Sequence, residues 1–524
     1  MYKKLSFRDL PIKTLFSRLG LGAFFLISAC SASPENDTWL ISNIVLVDGT
    51  GADAHKASVR ISGAKIVSVG NLTAGTKEKV LNGNGLVLAP GFIDSHSHHD
   101  RGMFETPSMI AVTNQGVTTI IVGQDGFSQI PLSKFYNSLE NNPVAVNVGS
   151  YTGHNSLRSA VMPATDIRRP ATPDEVHDMV SMLETDIKNG SFGLSSGLGY
   201  ETGVFSDRAE LLSLAKANAA MGGRYISHIR NENTDMADAI NEVIEIGRET
   251  HGPVQVSHIK VGTKKLWGTA NDYIRLLDSA RAEGIDITAD IYPYTYWQTT
   301  MRILFPNKNY TDPEPISMHF KETLSPSGVI VQRFMPDPTL EGLTIADIAH
   351  TKGTDPVTTY MNLMGQVLAY EKSNPDAEHV ESIIGTSMSE DDVESFLKWA
   401  HSNICSDGLD GGHPRGYGTF TRVLGHYVRE KKSLSLESAI HKMSGMTAEH
   451  LGLEKRGLIK PGYAADLVLL NPTTVADMAT VLEPKALSKG IENVWVNGTL
   501  VYKNGKSTGA SPGQIIKPSP VSVP

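Results

Sequence analysis

The sequence predicts an α/β fold, a TIM-like (β/α)8 barrel with a small β-sandwich domain built from both termini. Three observations lead there. Between residues 91 and 454, eight apolar strand-like runs alternate with helix-like stretches. Two β-rich pieces flank that middle. The histidines cluster at the ends of the strand-like runs, where barrels of this kind carry their active sites. The 524 residues suffice for one large barrel plus an accessory domain. With 40% apolar and 20% charged residues, a sizeable core can be buried, and collagen-like, coiled-coil or wholly disordered chains are excluded.

Residues 1–29 read as an export signal. Lys3, Lys4, Arg8, Lys13 and Arg18 form a basic region ahead of a short apolar run from Leu19 to Ala29, too short to span a bilayer as a mature helix. Ile27-Ser28-Ala29-Cys30 resembles a bacterial lipobox, which predicts a lipidated Cys30, a tether over residues 30–37 and a periplasmic protein. Ser31, not an aspartate, follows Cys30, which favours the outer membrane. The formal charge is −9, and the five basic residues and one acid of 1–29 leave −13 for the rest. A nucleic-acid partner is therefore not expected, because phosphate affinity needs a basic patch. Membrane attachment is expected only through Cys30. Two cysteines, Cys30 and Cys405, rule out a disulfide-stapled fold and a four-cysteine zinc site.

Alternating segments from residue 38 to 90, broken by turns such as Asp48-Gly49, form the N-terminal part of the β-domain. The pattern returns over 455–506, in Ala465–Leu470, Ile491–Val496 and Thr499–Tyr502. Between them, the barrel strands are expected at Ile93–His98, Thr118–Gly123, Val144–Gly149, Phe192–Ser195, Arg224–Ile229, Val254–Ile259, Ile287–Ile291 and Ile404–Asp407. The gap from Tyr292 to Asn403 exceeds one βα unit and predicts an insertion, around 300–400, over the barrel mouth. The Gly-, Ser- and Pro-rich tail, 507–524, is expected to be disordered.

The strongest chemical signal is Gly91-Phe92-Ile93-Asp94-Ser95-His96-Ser97-His98. On a strand, residues two apart face the same way, so His96 and His98 can address one metal ion. Two neutral imidazoles suit zinc. A lone His-x-His is more often a surface pair; its place at the end of the first barrel strand changes that. His228 ends the fifth strand and His258 the sixth, 30 residues apart, about one βα repeat. On the eighth strand Asp407 can bind metal and move a proton during water attack. Asp407 could instead cap a turn before Gly408, but four histidines aimed at the same mouth argue for catalysis.

Taken together, GFIDSHSH (91–98), QGVTTIIVG (115–123), GHNSLR (153–158), GLSSGLGY (193–200), SHIRNE (227–232), VSHIKV (256–261), DIYPY (290–294), SDG (406–408), HPRGYGTF (413–420) and GLIKPGYAADLVL (457–469) resemble the amidohydrolase superfamily. The branch is that of the D-aminoacylases, the N-acyl-D-amino-acid deacylases. The resemblance covers about residues 38–505. It implies a zinc-dependent hydrolase that removes the acyl group from a small-molecule N-acyl-D-amino acid. His228 and His258 would hold the tightly bound zinc, His96 and His98 a second, weaker position, and Asp407 would be general base and then acid. One departure stands out. The branch has a cysteine that bridges the metal positions after strand two, whereas Gly123-Gln124-Asp125-Gly126 places Asp125 there. A carboxylate is a competent oxygen ligand and, unlike a thiolate, resists oxidation. Phe192–Tyr200 contains no lysine, so the carbamylated-lysine bridge of hydantoinases has no residue there.

A substrate α-carboxylate needs a cation and hydroxyl donors. Lys260 lies two residues after His258 on the same strand face, and Arg415 follows His413-Pro414. Tyr200 and Tyr292 match tyrosines that contact the carboxylate in the family, and Gln298 falls where the family has a serine. Met388 matches a hydrophobic side-chain pocket, which favours neutral substrates. His154 is a further substrate-contact candidate at strand three. The alternatives are an amidohydrolase acting on D-containing or isoaspartyl dipeptides or on cyclic amides, and a binding module that kept the fold. The intact His228, His258 and Asp407 speak against the last.

Overall fold

The computed structural model describes residues 38–306, 309–377 and 379–519. The export signal, Cys30 and the tether lie outside the described residues.

Strand periodicity explains how the β-domain meets the barrel. In Leu467–Leu470 all four residues are buried. Leu467 and Leu469 point into one apolar core with Ile41, Ile44, Val59, Ile61, Leu88 and Trp495, while Val468 and Leu470 point into the barrel's own cluster. Nine strands from both ends of the chain make this sheet. The N- and C-terminal parts are joined where Val87–Pro90 pairs antiparallel with Leu467–Leu470. Both parts feed the same apolar core, so neither buries its apolar face without the other.

Eight parallel strands follow the expected order: β1 (Phe92–Asp94), β2 (Val117–Val122), β3 (Asn147–Ser150), β4 (Gly193–Gly197), β5 (Arg224–His228), β6 (Val254–Val256), β7 (Ile287–Ile291) and β8 (Ser402–Ile404). Hydrogen-bonded ladders join β1 to β2 to β3 and run from β4 to β8. The ring closes through Phe192 N–H to Ser150 O (2.9 Å) and through a parallel bridge between Ser97 and Gly408. Ile93, Ile121, Tyr151, Phe192 and Ile226 form one buried layer inside the barrel. The ligands His96 and His228 follow Ile93 and Ile226 in chain direction, so they lie nearer the C-terminal mouth.

The insertion is an antiparallel three-stranded sheet, Tyr296–Thr299, Glu381–Thr386 and Val329–Phe334, with helices Glu314–Glu322, Ile345–Lys352 and Pro356–Ser373. It has its own core around Phe305, Phe334 and Tyr360.

The tail corrects one expectation. Residues 507–519, expected to be disordered, follow a defined path: Ser507 pairs with Tyr502 in the β-domain sheet, and Gly513–Ile516 run along β3. Gly513 N–H donates to Val144 O, Gln514 O accepts from Val148, and Ile516 N–H donates to Val148 O. Ile516 joins Phe192, Leu451 and Leu453 beneath the barrel. Composition misleads here because the tail's order comes from the strand it lies on and from one buried isoleucine, not from its own sequence.

Candidate metal centre

Each candidate ligand stands where its strand releases it. Past Asp94 the chain bends at Ser95 and His96, and Ser97 N–H donates to Ile121 O and His98 N–H to Gly408 O, which keeps His96 and His98 on the mouth. His228 is the last residue of β5. His258, two past β6, has φ +34°, and its N–H donates to Asp290 Oδ1 at 2.5 Å. Asp407 (φ +47°) donates its N–H to His96 O. Asp125 (φ +54°) occupies the turn after β2. Such left-handed conformations are uncommon away from glycine, and three at one site mark a backbone bent to converge side chains.

The donors fall into two groups. His96, His98, Asp125 and Asp407 form one; Asp125, His228 and His258 form the other, and within each the ligand atoms lie within 4.8 Å. His96 Nε2 is 3.4 Å from Asp125 Oδ1 and 3.6 Å from Asp407 Oδ1. His98 Nε2 is 3.3 Å from both Asp125 Oδ2 and Asp407 Oδ1. His258 Nε2 lies 3.2 Å from Asp125 Oδ1 and 2.8 Å from His228 Nδ1. Gly199 lets the backbone press on His228: a Cβ there would lie 2.7 Å from its Nε2.

The residues fit a bound metal. Both ring nitrogens of His96 and Oδ1 of Asp125 are buried without a hydrogen-bond partner. Buried polar atoms left unpaired are costly, and a dication satisfies all three at once. Charge agrees. Burial and then the field of His258 hold His228 down near 4, so its ring is a neutral ligand. Burial and Lys260 oppose a charge on His258, but Asp125 and Glu232 outweigh them and raise it to about 9. Burial opposes a charge on His96 as well, but Asp125 and Asp290 raise it, so the site as a whole draws positive charge, which a dication held there would supply. Burial opposes ionisation of Asp407, yet Arg415, His98 and the other histidines hold it well below the carboxylate range. Arg415 Nη1 is 2.7 Å from Asp407 Oδ2.

The other expected site residues divide. Arg415 lies over the Tyr292 ring at 4.6 Å, and Lys260 Nζ lies 5.6 Å from the same ring. Tyr292 Oη and Arg415 Nε are buried without partners. Tyr200 packs on His228 with ring centroids 4.4 Å apart. Met388 is buried on the segment after the insertion sheet and donates its N–H to Thr295 O. Gln298 donates from Nε2 to Gln332 Oε1 at 3.1 Å, and its amide fills the space above Gly412. His154 corrects an expectation. It opens helix His154–Val161, fully buried, with Nε2 2.8 Å from Glu210 Oε1, in a network that also contains Arg158. A polar side chain at a strand end found an internal partner there instead of substrate.

Two site residues were missed. Glu232 sits 3.0 Å from His258 Nδ1 and pairs with Lys260, fixing the imidazole from behind. Asp290 stands 3.7 Å from His96 Nδ1 and accepts from Gln255 and the His258 backbone. Both lie inside quoted motifs, SHIRNE and DIYPY, and a carboxylate beside each metal-facing histidine was the available signal.

A closed (β/α)8 barrel with imidazole and carboxylate donors at its C-terminal mouth defines a metal-dependent amidohydrolase. Residues 339–502 match the Amidohydrolase family. The D-aminoacylase of Alcaligenes xylosoxydans xylosoxydans is 31% identical over 91% of this chain and 97% of its own length. The N-acyl-D-glutamate deacylase of the same organism is 33% identical over 90% and 95%. The crystal structure of N-acyl-D-glutamate deacylase from Bordetella bronchiseptica, with zinc and a phosphonate inhibitor that mimics the tetrahedral intermediate, superposes with a TM-score of 0.82 at 32% identity. It covers 92% of this chain and all of its own. The chain belongs to the D-aminoacylase family of amidohydrolases.

Proposed function

We infer that the protein is a zinc-dependent hydrolase of the linear amide bond in N-acyl-D-amino acids, releasing a carboxylate and a free D-amino acid. The observation that carries this is the pair of donor groups, with Asp407 among them, on a chain that follows D-aminoacylase and the N-acyl-D-glutamate and N-acyl-D-aspartate deacylases over at least 95% of their lengths. Zinc, when bound, lowers the pKa of a coordinated water towards neutrality and polarises the amide carbonyl. Asp407 supplies the proton movement. Its Oδ2 is taken by Arg415, which leaves Oδ1, the atom facing His96 and His98, to accept a proton from the attacking water and return it to the leaving nitrogen. Tyr292 Oη and Arg415 Nε, buried and unpaired, are the donors left for a substrate carboxylate.

Neutral substrate side chains are favoured. Lys260 is paired with Glu232, Arg415 with Asp407 and Lys485 with Asp410, and buried Met388 offers the side chain an apolar wall. The lipobox-like run ending at Cys30 supports export and anchoring by a lipidated cysteine. In that case Cys30→Ser moves the protein from the membrane to the soluble fraction.

The test is amine release from paired N-acetyl-D- and N-acetyl-L-amino acids by zinc-loaded protein lacking residues 1–30. Turnover of D-methionine and D-leucine derivatives, with D-glutamate and D-aspartate poor and the L series silent, is expected. Silence on every D substrate by folded, zinc-bound protein overturns the deacylase reading.

A further inference from the structure

An N-acyl-D-amino acid has two ends, and the donors assigned above serve only one of them. Lys260 follows β6, and the carboxylate donors Tyr292 and Arg415 follow β7 and β8. In a closed ring of eight strands, β6–β8 stand opposite β2–β4. A secondary amide is planar and trans, so its acyl chain and its α-carbon leave at opposite ends. With the carboxylate held over β6–β8 and the amide at the metal donors, the acyl chain is directed to the rim above β2–β4.

We propose that Phe127 and Tyr200 form the wall of an acyl-chain subsite on that rim, and that the preferred substrates carry an unbranched apolar acyl group of the butanoyl to hexanoyl class rather than acetyl. The proposal rests on the deacylase reading above and adds the acyl half of the substrate.

Phe127 lies two residues past Asp125, in the turn after β2, and is 40% exposed. A single exposed apolar side chain is ordinary on a protein surface. This one continues a row of rings that starts at the metal donors. Tyr200, three residues past β4, packs on His228 with ring centroids 4.4 Å apart and on Phe127 at 5.9 Å. The row His228, Tyr200, Phe127 therefore leads from a buried ligand to solvent, and Phe127 ends it on the outside.

The backbone under Phe127 is fixed. Its N–H donates to Gln124 O at 2.9 Å. Ser128 N–H donates to Ser156 Oγ at 3.0 Å, and Ser128 Oγ accepts from Gly153 N–H at 2.9 Å. A Cβ at Gly153 would lie 2.7 Å from Phe127 N, so the turn rests on the backbone that follows β3. A held turn with a half-exposed ring offers an apolar contact whose ordering cost is already met.

Charge on this side is spoken for. Glu201, next to Tyr200, is paired with Arg168, and Arg230 is paired with Glu242 at 3.0 Å. Neither arginine is offered to an acyl group with a carboxylate of its own, so an apolar chain fits this rim better than a succinyl group.

The test uses zinc-loaded protein lacking residues 1–30. kcat/KM is measured with N-acetyl-, N-butanoyl- and N-hexanoyl-D-leucine for the wild type, Phe127→Ala and Phe127→Leu. Full burial of a methylene is worth about fourfold, and contact on one side about twofold. The wild type is therefore expected to gain about 16-fold over the four methylenes from acetyl to hexanoyl. Phe127→Ala should cut that gain to about fourfold or less, and Phe127→Leu, which keeps an apolar wall, should retain most of it. A variant that is merely damaged loses rate on all three substrates alike and keeps the gain. Calorimetric titration with acetate and hexanoate, the acids that deacylation releases, reads the same wall without turnover: hexanoate should bind about tenfold tighter than acetate to the wild type, and the difference should shrink in Phe127→Ala. A flat series in the wild type, or a gain that survives Phe127→Ala, overturns the proposal. A Phe127-dependent preference for hexanoate in a protein that releases no amine from any D substrate leaves the acyl wall standing and overturns the deacylase reading instead. No amine and no such preference overturn both.

Discussion

Replacing Ile516 with alanine tests whether the tail is part of the barrel. Ile516 is 7% exposed and sits in one buried cluster with Ile93, Ile121, Tyr151, Phe192 and Ile226 of the barrel and with Leu451 and Leu453. Ile516→Ala removes three apolar carbons, at about 0.8 kcal/mol each, or about 2.4 kcal/mol. An uncollapsed cavity adds about 24 cal/mol per Å³, which brings the cost to about 2–4 kcal/mol. For a folded unit of about 480 residues, an unfolding entropy of about 2.1 cal/mol/K per residue turns this into a melting shift of about 2–4 °C. Scanning calorimetry measures it. A chain ending at Gly509 also loses the Gly513, Gln514 and Ile516 backbone hydrogen bonds, so its shift should be at least as large. Amine release at 25 °C should stay within twofold for Ile516→Ala, because this layer precedes the ligands along β1 and β5. A melting temperature unchanged in both variants would refute the reasoning and mean that the tail contributes no packing in solution.

Asp407→Asn should lower kcat about 10²- to 10⁴-fold while the folded protein still binds zinc at His228 and His258; near-normal turnover removes Asp407 from the proton path. Glu210 accepts from His154, Arg158 and the Ala171 N–H, and although burial opposes its charge, these partners hold its pKa near 2. Glu210→Gln leaves the fully buried Arg158 without its anion and should cost about 3–5 kcal/mol at neutral pH. A carboxylate depressed in the folded state stabilises above its unfolded pKa, about 4.3, and loses that contribution as pH falls towards 2. The stability gap between wild type and Glu210→Gln should therefore close between about pH 4.5 and 2, and a constant gap in urea titrations across that range contradicts the pairing. Glu232→Gln keeps the shape behind His258 but removes the charge, and should weaken zinc binding about 10- to 100-fold in a chelator competition, with an unchanged affinity counting against its role.

Local sequence was enough for what depends on one strand at a time. Short apolar runs separated by helix-like stretches marked all eight barrel strands, and the positions of His96, His98, His228, His258 and Asp407 at their ends followed from them. The β-domain pieces were legible too, because each turn carries its own glycine or asparagine and each strand its own apolar face. What the sequence could not decide is which side chains meet. Asp125 and His258 are separated by 133 residues, His96 and Asp407 by 311, and only the closed ring of strands brings them within 4 Å. The same holds for Arg415 on Asp407 and for Glu232 and Asp290 behind the histidines. His154 looked like a substrate contact because it stands at strand three, but Glu210, 56 residues on, pairs with it. The tail looked disordered because its composition is, yet β3 supplies the hydrogen bonds and the barrel floor the apolar seat. The sequence by itself determined the strands, their order and the kinds of donor at the mouth, since these are properties of short stretches. Only the tertiary structure decided the partner of each charged group, because buried polar atoms are satisfied by whatever the fold places beside them.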